Sequence, residues 1–168
     1  MLQAGFARVD ITPPFGNDLS GYYERRLADG TLDPLYLNAV AVTSGEETVI
    51  LMAADYIGIR LAENKALRTR ISERTGVPVD HILIAALHQH TAPCLADLKT
   101  RPTALNDPSF MDVLYRLFGD AAVMAMDDRC DATYIHPKQS DLHRYFQDIQ
   151  AHFFRPYIFS QRERLYCD

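Results

Sequence analysis

Apolar and polar residues alternate near the start of the chain. Ala7, Val9 and Ile11 fall on one side and Arg8, Asp10 and Thr12 on the other, the period of a half-buried strand over residues 7–12. Pro13 and Pro14 close it. Residues 15–34 show no sustained period and carry Gly16, Asn17, Asp18, Gly21, Asp29, Gly30 and Asp33, which predicts a long loop. Residues 37–43 and 48–54 are two apolar, β-branched runs, and Ser44-Gly45-Glu46-Glu47 between them predicts a hairpin. The second run has no polar alternation after Thr48, so a central strand covered on both faces is expected.

The period then changes. Ala62, Ala66, Leu67 and Ile71 share one face of a helix over residues 61–75, with Lys65, Arg68, Arg70 and Glu73 on the others, and Gly76 with Pro78 marks the stop. Residues 81–87 form another apolar strand. A strand, a helix and a second buried strand in that order predict a right-handed crossover, with residues 48–54 and 81–87 parallel neighbours. Residues 91–106 read as irregular. Asp107 and Pro108 then supply a cap and a first helical position. Phe110, Val113, Leu114, Leu117, Phe118, Ala121 and Met124 follow at helical spacing, a core-facing stripe. Residues 131–135 are a last candidate strand. The fold class is therefore α/β, a mixed sheet with a parallel central pair and crossover helices.

Composition narrows the functional classes. With 48% hydrophobic and 23% charged residues, the 168-residue chain has the make-up of a globular domain. It is long enough to bury a core without disulfides. The net charge of −5, with basic residues scattered, offers no footprint for nucleic acid. No apolar run approaches the roughly 18 residues of a membrane span, and the first residues lack the basic and apolar regions of a leader. A cytoplasmic location is expected. Cys94, Cys130 and Cys167 share no short spacing and read as free thiols.

Candidate chemistry gathers where parallel strands end. Asp55 directly follows the run ending at Ala54, and His88 directly follows the run ending at Leu87, so both should emerge on one edge of the sheet. In an extended backbone His88 and His90 would address the same side. Imidazole is the commonest zinc ligand, and a carboxylate such as Asp55 is suited to fixing the tautomer of a ligating histidine. The spacing alone leaves two other readings open, a hydrogen-bonded surface pair or an acid/base group without metal. The loop residues Tyr22, Tyr23, Arg25 and Arg26 read either as a functional cluster or as a solvated loop with tyrosines anchored on the core. His81, His136, His143 and His152 read as structural.

Several segments in register resemble the neutral/alkaline non-lysosomal ceramidase family. They are residues 4–14 (Ala-Gly-Phe-Ala-Arg-Val-Asp-Ile-Thr-Pro-Pro), Gly21-Tyr22, Asp33-Pro34-Leu35-Tyr36, Ala54-Asp55, residues 71–76 (Ile-Ser-Glu-Arg-Thr-Gly) and residues 86–93 (Ala-Leu-His-Gln-His-Thr-Ala-Pro). The resemblance implies that residues 1–135 are the N-terminal α/β segment of a zinc-dependent enzyme hydrolysing N-acyl amides, typically ceramide. It makes His88 a zinc ligand and places His90 beside the metal as a catalytic group, with a small or lipid-like N-acyl amide as substrate. Residues 136–168 match nothing in the family and are left unassigned.

The family follows its second histidine with serine and glycine, where this chain has Thr91 and Ala92. Its remaining ligands, a histidine, a glutamate and a tyrosine, and its serine come from later segments not recognisable here, with His136 or His143 remote substitutes. A catalytic zinc needs three protein ligands. The chain is therefore expected to be a fragment or truncated product, to be completed by another chain, or to be an inactive remnant. A non-catalytic binding or assembly module that keeps the α/β core is the alternative, and a metal-independent hydrolase a weaker one. Uncovered sheet surface would favour homo-oligomers.

Overall fold

The structure, a computed structural model, describes residues 1–95 and 108–133. Asp107, His136, His143, His152 and the rest of residues 136–168 lie outside them. In chain order the elements are β1 (Leu2–Asp10), β2 (Asp18–Leu19), β3 (Arg26–Leu27), β4 (Tyr36–Ser44), β5 (Glu47–Ala54), β6 (Gly58–Ile59), α1 (Leu61–Thr75), β7 (Ile82–Ala86), β8 (Cys94–Leu95), α2 (Pro108–Asp127) and β9 (Cys130–Asp131). The main sheet has the order β7-β5-β4-β1-β9. The hairpin pairs β4 with β5 antiparallel, and β5 runs parallel to β7 in the register Ile50↔Ile82 to Ala54↔Ala86. The α/β class, the mixed sheet and its parallel pair are as the sequence predicts.

Both helices lie against one face of the sheet. α1 contacts β7 and α2, while α2 contacts β1 and β4. The buried strand positions are Leu37, Ala39 and Ala41 of β4, Ile50, Met52 and Ala54 of β5, and Ile82 and Ile84 of β7. A 15-residue helix is marginal alone in water, so docking decides whether α1 persists. Its buried line is Glu63, Leu67 and Ile71, the two aliphatics contributing about 1.5–3 kcal/mol each. Ala62 and Ala66, expected on that face, are exposed. A methyl group gains little from burial, whereas strict i, i+4 spacing from Leu67 brings the stem of Glu63 inward.

In α2 the packed residues are Leu114, Phe118, Ala121, Ala122 and Ala125, while Val113 and Met124 of the expected stripe are exposed. Small residues on the inner line let the helix approach the sheet closely. Gly5 of β1 marks the tightest point: a Cβ there would collide with the Ala125 carbonyl and lie 2.6 Å from the Arg129 nitrogen.

The second face of the sheet corrects the expectation that β5 is covered on both sides. Phe6, Val40, Leu51 and Leu83 stand in one cross-strand row. Phe6 is 48% exposed, Leu51 44% and Leu83 60%, so the apolar run of β5 has one packed face and one open face. At the β7 edge, Asn64 Nδ2 donates to Ile84 O (3.1 Å), which satisfies one outward carbonyl.

Gly5→Ala should destabilise the fold by about 2 kcal/mol, because the atoms it meets are backbone of the end of α2 and of the residues just after it, which cannot rotate away. Urea unfolding checks this, and a change below about 0.5 kcal/mol would contradict the packing described.

Candidate functional site

The carboxyl ends of β5 and β7 continue their pairing beyond the strands. Leu87 N donates to Ala54 O (3.0 Å) and His88 N to Tyr56 O (3.1 Å). The chain then turns at His88, which has φ 61° and is the one non-glycine residue at positive φ among the described residues. That conformation costs about 1–3 kcal/mol and persists only where surrounding contacts enforce it. The enforcing contacts are on both sides: Ile57 N donates to Pro93 O (3.3 Å), Ser20 N donates to Ala92 O (3.1 Å), and β6 pairs with β8. The turn replaces the extended backbone expected across residues 88–90.

The two imidazoles nevertheless come together, their ring centroids 5.1 Å apart and edge to face at 82°. His88 Nδ1 lies 3.0 Å from Ile57 O. A carbonyl oxygen only accepts, so Nδ1 carries the proton and the Nε2 lone pair is left for a metal or a proton. His88 is exposed at the mouth of this edge. His90 packs edge-on against Tyr22, centroids 6.1 Å apart, and Arg26 Cζ stands 4.0 Å over the Tyr22 ring. Gly21 makes the contact feasible. It has φ 91°, and an added Cβ would collide with His90 Nδ1 and lie 2.7 Å from Ile57 Cδ1.

Asp55 sits at the same edge with different partners. Its Oδ2 accepts from Tyr36 N (2.8 Å) while its own N–H donates to Tyr36 O (2.9 Å), so the carboxylate closes on β4. His88, on the β7 side, is held by Ile57 O. The carboxylate and imidazole that the sequence suggests as a pair thus bond separately. Burial pushes the Asp55 carboxyl above its ordinary 3.8, opposed by the Tyr36 hydrogen bond and the Arg8 charge. Directly after it, the fully buried Tyr56 donates its hydroxyl to Ile11 O (2.8 Å). Residues 55 and 56 therefore anchor the strand end from which Ile57 reaches His88.

Comparison with solved structures finds a similar fold in a ceramidase complexed with C2, with a TM-score of 0.59 and 15% identity over 76% of this chain and 21% of that one. Neutral ceramidase from Pseudomonas aeruginosa matches with a TM-score of 0.54 and 15% identity over 76% of this chain and 22% of its own. The fold is ceramidase-like. The chain spans about a fifth of the length of the ceramidase chains it matches. No protein-family model and no curated protein matches. No helix among the described residues is long and apolar enough to cross a membrane.

Within this ceramidase-like segment, Ala92 at the position of the expected glycine is fully buried and keeps a negative φ, so its methyl packs without straining the loop. Two contributors carry little sequence signal. The Ile57 carbonyl that orients His88 is a backbone group, and the approach of Gly21 to His90 joins segments far apart in the chain. Of the four loop residues flagged by composition, Tyr22 and Arg26 reach the site, Arg25 pairs with Asp18 at 2.7 Å, and Tyr23 is fully exposed.

Gly21→Ala should destabilise by about 2 kcal/mol from the positive φ and displace the His90 ring. Denaturant unfolding together with His90 side-chain NMR shifts checks both effects, and unchanged shifts would contradict the contact. For Asp55, a folded pKa raised above the unfolded value means that the native state holds the proton longer. Its contribution to stability is full below 3.8 and declines as pH rises through the folded value. Asp55→Asn retains an acceptor for Tyr36 N, so its stability should fall less than the parent's on going from acid to neutral pH. Identical pH profiles would contradict this.

Proposed function

We propose that this chain is a segment of a zinc-dependent N-acyl amide hydrolase of the ceramidase type, acting on a small or lipid-like amide. The observation that carries the reading is His88 at the carboxyl end of a parallel strand, its Nδ1–H donating to Ile57 O and the lone pair of its Nε2 left for a metal. Backbone carbonyls commonly hold metal-ligating histidines in this tautomer. The ceramidase-like fold and the motif resemblance support the same assignment.

The donor set fits zinc in kind. His88 would be the ligand, and His90, 5.1 Å away, the proton-handling group on the substrate side. Bound zinc would supply Lewis acidity toward an amide carbonyl or a water. In number the fit is partial: among the described residues no three His, Cys, Asp or Glu side chains gather around one point. No bond-breaking step is therefore derived from this chain. Its own residues orient an imidazole, hold a second beside it, and frame the approach with Tyr22. Asp55 serves as a positioning residue, holding the end of β5 against β4.

The partial donor set and the exposed Leu51 and Leu83 support a second reading, a non-catalytic module that assembles through this face with a second copy of the chain. Two measurements separate the readings. For the hydrolase segment, protein purified without added zinc should retain metal or take up zinc on titration, and His88→Ala should weaken uptake at least tenfold. Uptake unaffected by His88→Ala sinks the metal assignment. For the module, light scattering should show dimers that Leu51→Lys dissociates; a monomeric parent sinks it.

A further inference from the structure

The loop between β1 and β4 places one cation in a position distinct from its neighbours. Arg25 spends its Nε on Asp18. Arg26 instead lies over the Tyr22 ring at 4.0 Å, and that ring in turn meets His90 edge-on. Both residues of β3 are exposed, and among the described residues Arg26 forms no ion pair. A guanidinium held over an aromatic face keeps its N–H donors in its own plane. There they form a fork that matches the paired oxygens of a carboxylate or phosphate. The ring contact also restrains a long side chain that would otherwise lose rotamer freedom on binding.

The geometry points to Arg26 as the residue that selects the polar end of the substrate, an anionic carboxylate or phosphate on the amine side of the N-acyl amide. This rests on the amide-hydrolase reading above and deepens it. Tyr22 is the platform that fixes where the charge stands relative to His90. A neutral N-acyl amino alcohol would leave this cation unanswered, whereas an N-acyl amino acid or its phosphorylated counterpart would answer it. Because Arg26 is exposed, its effect should be screened by salt.

The test is calorimetric titration of the full chain with three short, non-micellar probes: N-hexanoylglycine, N-hexanoylethanolamine and its O-phosphate. The parent should bind an anionic probe about tenfold more tightly than the neutral one at low salt, a preference reduced by added NaCl. Whichever anion binds more tightly identifies the source of the charge. Arg26→Gln should bring the anionic probes down to the affinity of the neutral one, and Tyr22→Phe, which keeps the ring, should retain the preference.

Equal binding of neutral and anionic probes overturns the selectivity and leaves the amide-binding reading standing. Binding of none of the three overturns both. An anionic preference that survives Arg26→Gln overturns the proposal, and one that also survives His90→Ala places the ligand elsewhere. Thermal unfolding of each variant confirms that lost binding is not lost fold.

Discussion

The pairing of β5 with β7 is the constraint on which the functional edge depends. Its register, Ala54 opposite Ala86, brings the chain after each strand to the same level. The ladder then runs two bonds further, through Leu87 to Ala54 and His88 to Tyr56. That extension brings the chain to the point where the β6–β8 pairing and the Ala92 and Pro93 carbonyl bonds enforce the left-handed backbone at His88, whose ring then meets the Ile57 carbonyl. The burial of Ile50, Met52, Ile82 and Ile84 beneath the helices holds this register, since a one-residue slip of either strand would turn its two residues toward water. Core packing and site geometry are in this sense one property.

Around that pair the molecule distributes its polar groups by local opportunity. The Asp55 carboxylate finds a backbone N–H on β4 before it finds an imidazole, and burial raises its pKa without engaging His88. The outcome is an indirect scaffold: Asp55 and Tyr56 fix the strand end, Ile57 fixes His88, and Gly21 admits His90. Each link is a hydrogen bond or a close contact between segments separated by tens of residues.

Much of this edge was legible in the sequence. Strand alternation, the Gly76 stop and the apolar runs specify the hairpin, α1 and the parallel neighbour, because each is a local signal read at one period. The place of His88 directly after a buried strand is equally local, whereas its approach to His90 comes through a left-handed turn and not through the extended backbone expected. What was not legible has physical causes. A positive φ at a histidine depends on tertiary contacts, a carbonyl partner carries no side-chain signature, and a carboxylate at a strand end has several donors within reach. An unalternating run such as β5 also cannot say which face is covered, since Leu51 and Ile50 are equally apolar. Likewise Ala62 and Ala66 turn outward, and Glu63 inward, because helix rotation is set by Leu67 and Ile71.

The central claim concerns one ring: His88 is held with its proton on Nδ1 and a lone pair on Nε2 ready for a metal. Long-range nitrogen–proton NMR of the imidazoles tests it most directly, read before and during a zinc titration at a pH where the rings are neutral. The account predicts a protonated Nδ1 at His88, an unprotonated Nε2, and a zinc-dependent shift at that Nε2. A proton on Nε2 with no response to zinc would contradict it.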